Sequence, residues 1–243
     1  MRRRALWGAA ALGLVAIGGV IPNSALSDVV AAEFGAPTDR YGHGILGDAI
    51  EFGSLIVTVD TAGTQQQITV TLPQTHVFED TIPRLIDIDG DGNQEVMVIE
   101  TEISLGARLA IYDENGQLKA ATPHIGRTHR WLAPIGAADL DGDGNVEVAY
   151  IDRPHLAKTL RVWRYTDGVL VNVADLAGLT NHRIGEADIG GGLRDCDGVI
   201  EMITASADWR RVIATKLVGN KLTTRDMGPH LGRASLTNAM TCQ

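Results

Sequence analysis

Asp87-Ile-Asp-Gly-Asp-Gly-Asn-Gln-Glu95 is answered 52 residues further on by Asp139-Leu-Asp-Gly-Asp-Gly-Asn-Val-Glu147. Both stretches carry acids at positions 1, 3, 5 and 9, and glycine at positions 4 and 6. Three aspartates and one glutamate in so tight a turn repel one another unless a cation intervenes. Oxygen donors alone, with no thiolate or imidazole among them, suit a hard ion with loose geometry, and calcium is that ion. The side-chain ligands expected in the first loop are Asp87, Asp89, Asp91 and Glu95, with the backbone carbonyl of Asn93. In the second they are Asp139, Asp141, Asp143 and Glu147, with the carbonyl of Asn145. The glycines let the backbone curl where φ is positive.

An EF-hand loop would need a carboxylate at position 12 and a helix on either side. Position 12 is Val98 in one loop and Tyr150 in the other. The residues just after the loops, Val96-Met-Val-Ile99 and Val148-Ala-Tyr-Ile151, are apolar and β-branched, the entry to a strand.

The repetition extends beyond the loops. Ser54–Val70, Gly106–Leu118, Ala157–Leu170 and Arg211–Leu222 each read as a strand, a turn rich in Gly, Asn or Asp, and a second strand. Leu118, Leu170 and Leu222 fall 52 residues apart. Four hairpins at a period of about fifty residues match the size of a four-stranded unit. No helix is expected after the N-terminal segment. A third acidic loop has decayed: Asp188 starts it, and Asp195, Asp197 and Glu201 are displaced by inserted residues. It is expected to be a metal-free turn stapled by Cys196. The stretch Gly42–Asp48 shows no recognisable site.

On these residues the chain resembles the FG-GAP and VCBS repeat family, whose calcium loops follow D-x-D-x-D-G-x-x-[DE]. Both loops fit that pattern at every ligand position. The Phe-Gly and Gly-Ala-Pro elements of the eukaryotic type do not flank them, so the likeness is to the bacterial form. The resemblance implies an all-β fold, a β-propeller of about four blades in a closed or partial ring, with calcium at turns between strands. Radial repetition leaves few exposed sheet edges.

Met1-Arg-Arg-Arg4, the apolar run Ala5–Ile21, the break at Pro22-Asn23 and the small residues Ala25 and Ser27 form a secretory signal layout over residues 1–27. An uncleaved anchor is the alternative, because 17 apolar residues stand at the short limit for a span. Residues 28–243 are then a single exported domain, periplasmic or secreted, and a monomer is expected. The whole chain has a formal charge of −9; the three arginines of the leader bring the remainder to −12. Eight of those charges belong to the two loops. Such acidity argues against nucleic acid as a partner. The two cysteines, Cys196 and Cys242, are expected to form a disulfide in an oxidising compartment.

His76, His129 and His182 recur at a spacing of 53, each just before the strand that leads to a loop. With Arg130 and Arg183 they are candidates for a polar, partly cationic site for a protein or carbohydrate ligand. The plainer reading is that they brace neighbouring backbones. No helical histidine pair and no free thiolate favour zinc. No nucleophile elbow, phosphate loop or dinucleotide fingerprint occurs. The expected function is therefore an exported, calcium-stabilised binding module rather than an enzyme. The alternative is an extracytoplasmic hydrolase or lyase acting on polysaccharide or phosphoester through the His/Arg residues.

Overall fold

The computed structural model describes residues 27–242. The expected signal segment therefore lies outside the described residues, apart from its final Ser27. Four successive units build the fold. Unit one has β1 (Ser27–Thr38), β2 (Glu51–Thr61) and β3 (Thr64–Thr71). Unit two has β4 (His76–Phe78), β5 (Arg84–Ile86), β6 (Glu95–Glu102), β7 (Gly106–Tyr112) and β8 (Leu118–Ala121). Unit three has β9 (Leu132–Ala138), β10 (Glu147–Asp152), β11 (Thr159–Thr166) and β12 (Val169–Ala177). Unit four has β13 (Leu179–Thr180), β14 (Gly192–Cys196), β15 (Val199–Ser206), β16 (Arg211–Val218) and β17 (Lys221–Pro229), followed by α1 (Arg233–Ala239).

Each of the last three units is an antiparallel meander on one plan. In units two and four the first strand is split, β4 with β5 and β13 with β14, and both halves pair with the same neighbour. The four expected hairpins are β2–β3, β7–β8, β11–β12 and β16–β17. The fold is all-β, as the repeats imply, but the units form three sheets rather than four. Phe52 pairs with Phe78, which joins units one and two into one eight-stranded sheet. Phe34 stacks on both rings, 5.3 Å from Phe52 and 5.5 Å from Phe78 between centroids. No local sequence period announces that link.

The second strands of units two and three explain the rest of the packing. In β6, Val96 and Val98 face unit one, while Met97 and Ile99 face unit three. In β10, Val148 and Tyr150 turn towards unit two, and Ala149 and Ile151 towards unit four. A strand buried on both faces reads as a continuous apolar run. Each such Val or Ile side chain contributes on the order of 1.5–3 kcal/mol through burial.

The ends are finished differently. The outer face of unit four, with Ile203, Ala205, Val212 and Ala214, is covered by Leu236 of α1. A sequence period of 3.6 has little to register in a helix this short, so the expectation of no helix fails here. Cys196 and Cys242 form the expected disulfide, with Cα atoms 5.6 Å apart. The bridge ties the end of β14 to the residues just beyond α1. Among the described residues no helix is long and apolar enough to cross a membrane.

The bridge closes a loop with a sequence separation of 46. In the chain-entropy model such a loop contributes about 4 kcal/mol. The double variant Cys196→Ser/Cys242→Ser should therefore unfold at a clearly lower urea concentration, by up to that amount of stability. An unchanged midpoint would show that the α1 cap holds without its tether.

Candidate metal loops and a histidine-lined cleft

The two acidic loops adopt one conformation. Asp87 accepts hydrogen bonds from the amides of Gly90 (2.8 Å) and Gly92 (3.0 Å), and Asp139 accepts from Gly142 (2.8 Å) and Gly144 (2.9 Å). All four glycines have φ between 74° and 90°, which a Cβ would strain. Glu95 Oε2 closes the first loop by accepting from Ile88 N at 3.0 Å, and Glu147 Oε2 accepts from Leu140 N at 2.9 Å. Asp91 and Asp143 accept from both the backbone and the side chain of Asn93 and Asn145. Those hydrogen bonds, the backbone one first, hold both aspartates below the usual carboxylate range.

Asp87, Asp89 and Glu95 bring one oxygen each within 4.8 Å of the others, as do Asp139, Asp141 and Glu147. A side-chain cation meets each set. Lys119 Nζ lies 2.5 Å from both Asp89 and Glu95. Arg164 reaches Asp141 (2.7 Å), Asp143 (3.1 Å) and Glu147 (2.5 Å). Burial pushes Glu95 and Glu147 up, and these cations pull them back only in part. The oxygen-only donor set, with no nitrogen or sulfur ligand, fits a hard cation. Asn93 and Asn145 project amides that order the aspartates of their loops.

Unit four solves the same electrostatic problem differently. Glu201 occupies the place of Glu95 and Glu147, and Arg194 grips it from the preceding strand β14, which pairs with β15 and lies within the old loop. Arg225 adds a second cation at 3.0 Å. Burial pushes Glu201 up, but the two arginines carry it below the ordinary range. Asp195 is spent on the amide of Gly198, and the exposed Asp188 pairs with Arg233.

The histidines separate. His129 and Arg130 line a cleft of about 220 Å³ together with His43, Ile45, Trp131, Arg153, His155 and Ile184. Four connections meet there: β1–β2, β8–β9, β10–β11 and β13–β14. His182 is fully buried behind the cleft, 4.9 Å from the Trp131 ring between centroids. Arg183 leaves it to lie 4.3 Å over the Trp209 ring. His76 lies elsewhere, beside Glu100 and His124.

Within the cleft the histidines are wired to buried partners. His182 Nε2 donates to the Glu186 carbonyl at 2.8 Å, so its Nδ1 accepts from His155 Nε2 at 3.1 Å. In the neutral pair this leaves His155 Nδ1 as a free acceptor. Burial, then the neighbouring His182, pushes His155 down to about 4. His43 Nδ1 lies 2.5 Å from Glu79, a fully buried carboxyl that burial pushes up and that also accepts from Thr101 at 2.6 Å. Trp131 Nε1 donates to the Glu79 carbonyl at 2.7 Å. His129 (φ 51°) and Arg153 (φ 46°) both hold left-handed backbone at the cleft, strain of the kind that concentrates at working sites.

Sequence reasoning did not single out His43, Glu79, Arg153 or His155, because spacing relates equivalent positions and these are not equivalent. It also passed over Lys119 and Arg164. A signal for Arg164 was available: it sits directly opposite Glu147 in the β10–β11 hairpin.

Residues 87–150 match the family model of the FG-GAP-like repeat. No curated protein matches the chain. Among solved structures, the Bacillus licheniformis rhamnogalacturonan lyase PL11 is similar at 15% identity and a TM-score of 0.43. That match covers 75% of this chain and 44% of the lyase chain, so the chain spans less than half the length of the solved structure it matches.

Glu51, 2% exposed, adds an acid to the same neighbourhood. Burial, then the nearby Glu79, pushes it up to about 9. Its folded value lies above its unfolded one, so its contribution is fully present below about pH 4.5. Stability is then lost as pH rises towards 9. Glu51→Gln removes that proton uptake. The variant should be more stable than wild type at pH 7, by on the order of 2 kcal/mol, and equal to it near pH 4. Urea unfolding across pH 4–9 reads this directly, and parallel curves for the two proteins would contradict it.

Proposed function

We propose that this chain, which carries an FG-GAP-like repeat at residues 87–150, is an exported β-propeller-type binding module with structural calcium. Its four units would be the blades of a partial ring. Calcium would be held by Asp87, Asp89, Asp91 and Glu95 with the Asn93 carbonyl, and by Asp139, Asp141, Asp143 and Glu147 with the Asn145 carbonyl. When bound, it would supply charge neutralisation at the two loops. Lys119 and Arg164 keep those carboxylates compensated otherwise. The disulfide is compatible with export, and the signal layout of residues 1–27 supports it.

The ligand site in this reading is the cleft. The observation that carries it is convergence: connections from across the fold bring Arg130, Arg153, His129, His155 and the Trp131 ring to one concave surface. Arg130 offers its guanidinium, and Arg153 offers the N–H groups it does not spend on Asp152 (Nε 2.8 Å, Nη2 2.9 Å), to a carboxylate or sulfate. The exposed Leu156 and Ile184 give an apolar wall for a sugar face. The ligand class that fits is an anionic carbohydrate. Nucleic acid is disfavoured by the overall charge of −9.

One observation favours the alternative, an extracytoplasmic hydrolase or lyase. His43 paired to the buried Glu79 is an arrangement that can hold and move a proton at Nε2, within the same cleft. Turnover would then depend on His43 while binding depended on the arginines.

A panel of acidic and neutral oligosaccharides, titrated by calorimetry, tests the assignment. Arg130→Ala and Arg153→Ala should each weaken binding of an acidic glycan at least about tenfold, as expected for loss of a charge-assisted contact. Neutral glycans should bind weakly to all forms. Equal binding by wild type and both variants would place the ligand elsewhere.

A further inference from the structure

His76, Glu100 and His124 come from three segments that sequence spacing does not relate. Glu100 lies in β6, diagonal to His76 across the β4–β6 pairing, in which His76 faces Glu102 and Phe78 faces Glu100. His124 comes after β8 and is drawn in by its own ring: Nδ1 donates to the Gly106 carbonyl at 2.7 Å. A Cβ on Gly106 would clash with the Arg127 carbonyl, so that close approach requires glycine. One ligand atom from each of the three residues lies within 4.8 Å of the other two.

The surroundings prepare those atoms. Because a carbonyl can only accept, His124 carries its proton on Nδ1 and presents a bare Nε2. Thr75 Oγ1 stands 2.9 Å from His76 Nδ1 and can accept a hydrogen bond from an Nδ1–H, the tautomer that leaves His76 Nε2 bare as well. That nitrogen is 3.8 Å from Glu100 Oε1. Glu100 is buried, and Arg108 holds Oε1 at 2.8 Å while the Tyr112 hydroxyl holds Oε2 at 2.6 Å. Both partners donate, so the orientation of the carboxylate is fixed. An ionised carboxylate has about four acceptor positions, and two are used. Outer hydrogen bonds that fix tautomer and orientation are what metal-ligating histidines carry.

From this we infer that His76, Glu100 and His124 form a divalent transition-metal site of the zinc class, separate from the acidic loops and from the cleft. Two imidazoles and one carboxylate form a mixed nitrogen and oxygen set that suits zinc and rejects calcium. Three protein ligands leave a fourth position open to water. The metal would tie the connection after β8 to the start of unit two. Arg108, sharing the same Glu100 oxygen, opposes the ion by charge and sets its affinity.

The test titrates zinc, and separately cobalt(II), into the full chain held in excess calcium so that the acidic loops are saturated. One zinc should bind, and cobalt should give the visible absorption of a low-coordinate nitrogen and oxygen site. His124→Ala and His76→Gln should each lower zinc affinity at least about tenfold, since losing even a hydrogen-bond partner of a metal ligand costs that much. His129→Ala should leave it unchanged. Chemical modification of wild-type histidines provides a readout that needs no variant: zinc should protect His76 and His124 and leave His129 reactive. Absence of zinc binding in calcium buffer would overturn the assignment. So would binding indifferent to both substitutions, or protection of His129 instead.

Discussion

A carboxylate is buried at the first residue of each of the two central strands, and the fold is arranged around neutralising it. Glu95 opens β6 and Glu147 opens β10, with exposures of 2% and 0%. Each accepts an amide hydrogen bond from the second residue of its own loop, which closes that loop. A buried charge without a partner costs several kcal/mol, so the site must bring cations to itself. It does so through Lys119 in unit two and Arg164 in unit three, and calcium would do the same more strongly. Unit four meets the requirement with Arg194 and Arg225 on Glu201, and there the acidic loop has dissolved into a plain turn. The three units are three answers to one electrostatic demand.

Fixing those strand starts also fixes the two-sided burial. Alternating residues of β6 and β10 enter two different cores, so units two and three cannot shift by one residue without exchanging their apolar sets. An array of this kind needs finished ends. Unit four is finished by α1, Leu236 and the Cys196–Cys242 bridge. With the sheets so held, the connections between them come together, and two of the cleft residues hold strained backbone as a result. The cleft is thus a product of the same packing that positions the loops.

The loops and the strands after them were legible in the sequence because both depend on local spacing. The acids and glycines of Asp87–Glu95 act within nine residues, and a hairpin needs only its turn and its alternation. The 53-residue recurrence of histidines was equally visible, but it did not imply one pocket. Repetition equates positions along the chain, whereas side-chain direction depends on the strand breaks in units two and four, which no period records. His76 therefore meets His124, a residue outside the series, while His129 meets His43 and Tyr41. Glu79 gave no signal at all, since its role comes from complete burial beside a loop from another unit. The joining of units one and two through Phe34, Phe52 and Phe78 was hidden for the same reason.

The central claim is that cation binding at the two acidic loops holds the central strands in place. Thermal unfolding in calcium and in chelator, repeated over a range of calcium concentrations, tests it most directly. Mass action requires the midpoint to rise steadily with calcium, by an amount set by the logarithm of its concentration over the dissociation constant. Asp87→Ala and Asp139→Ala should each remove part of that rise. A midpoint that is the same in calcium and in chelator would contradict the account and leave Lys119 and Arg164 as the cations that neutralise the buried carboxylates.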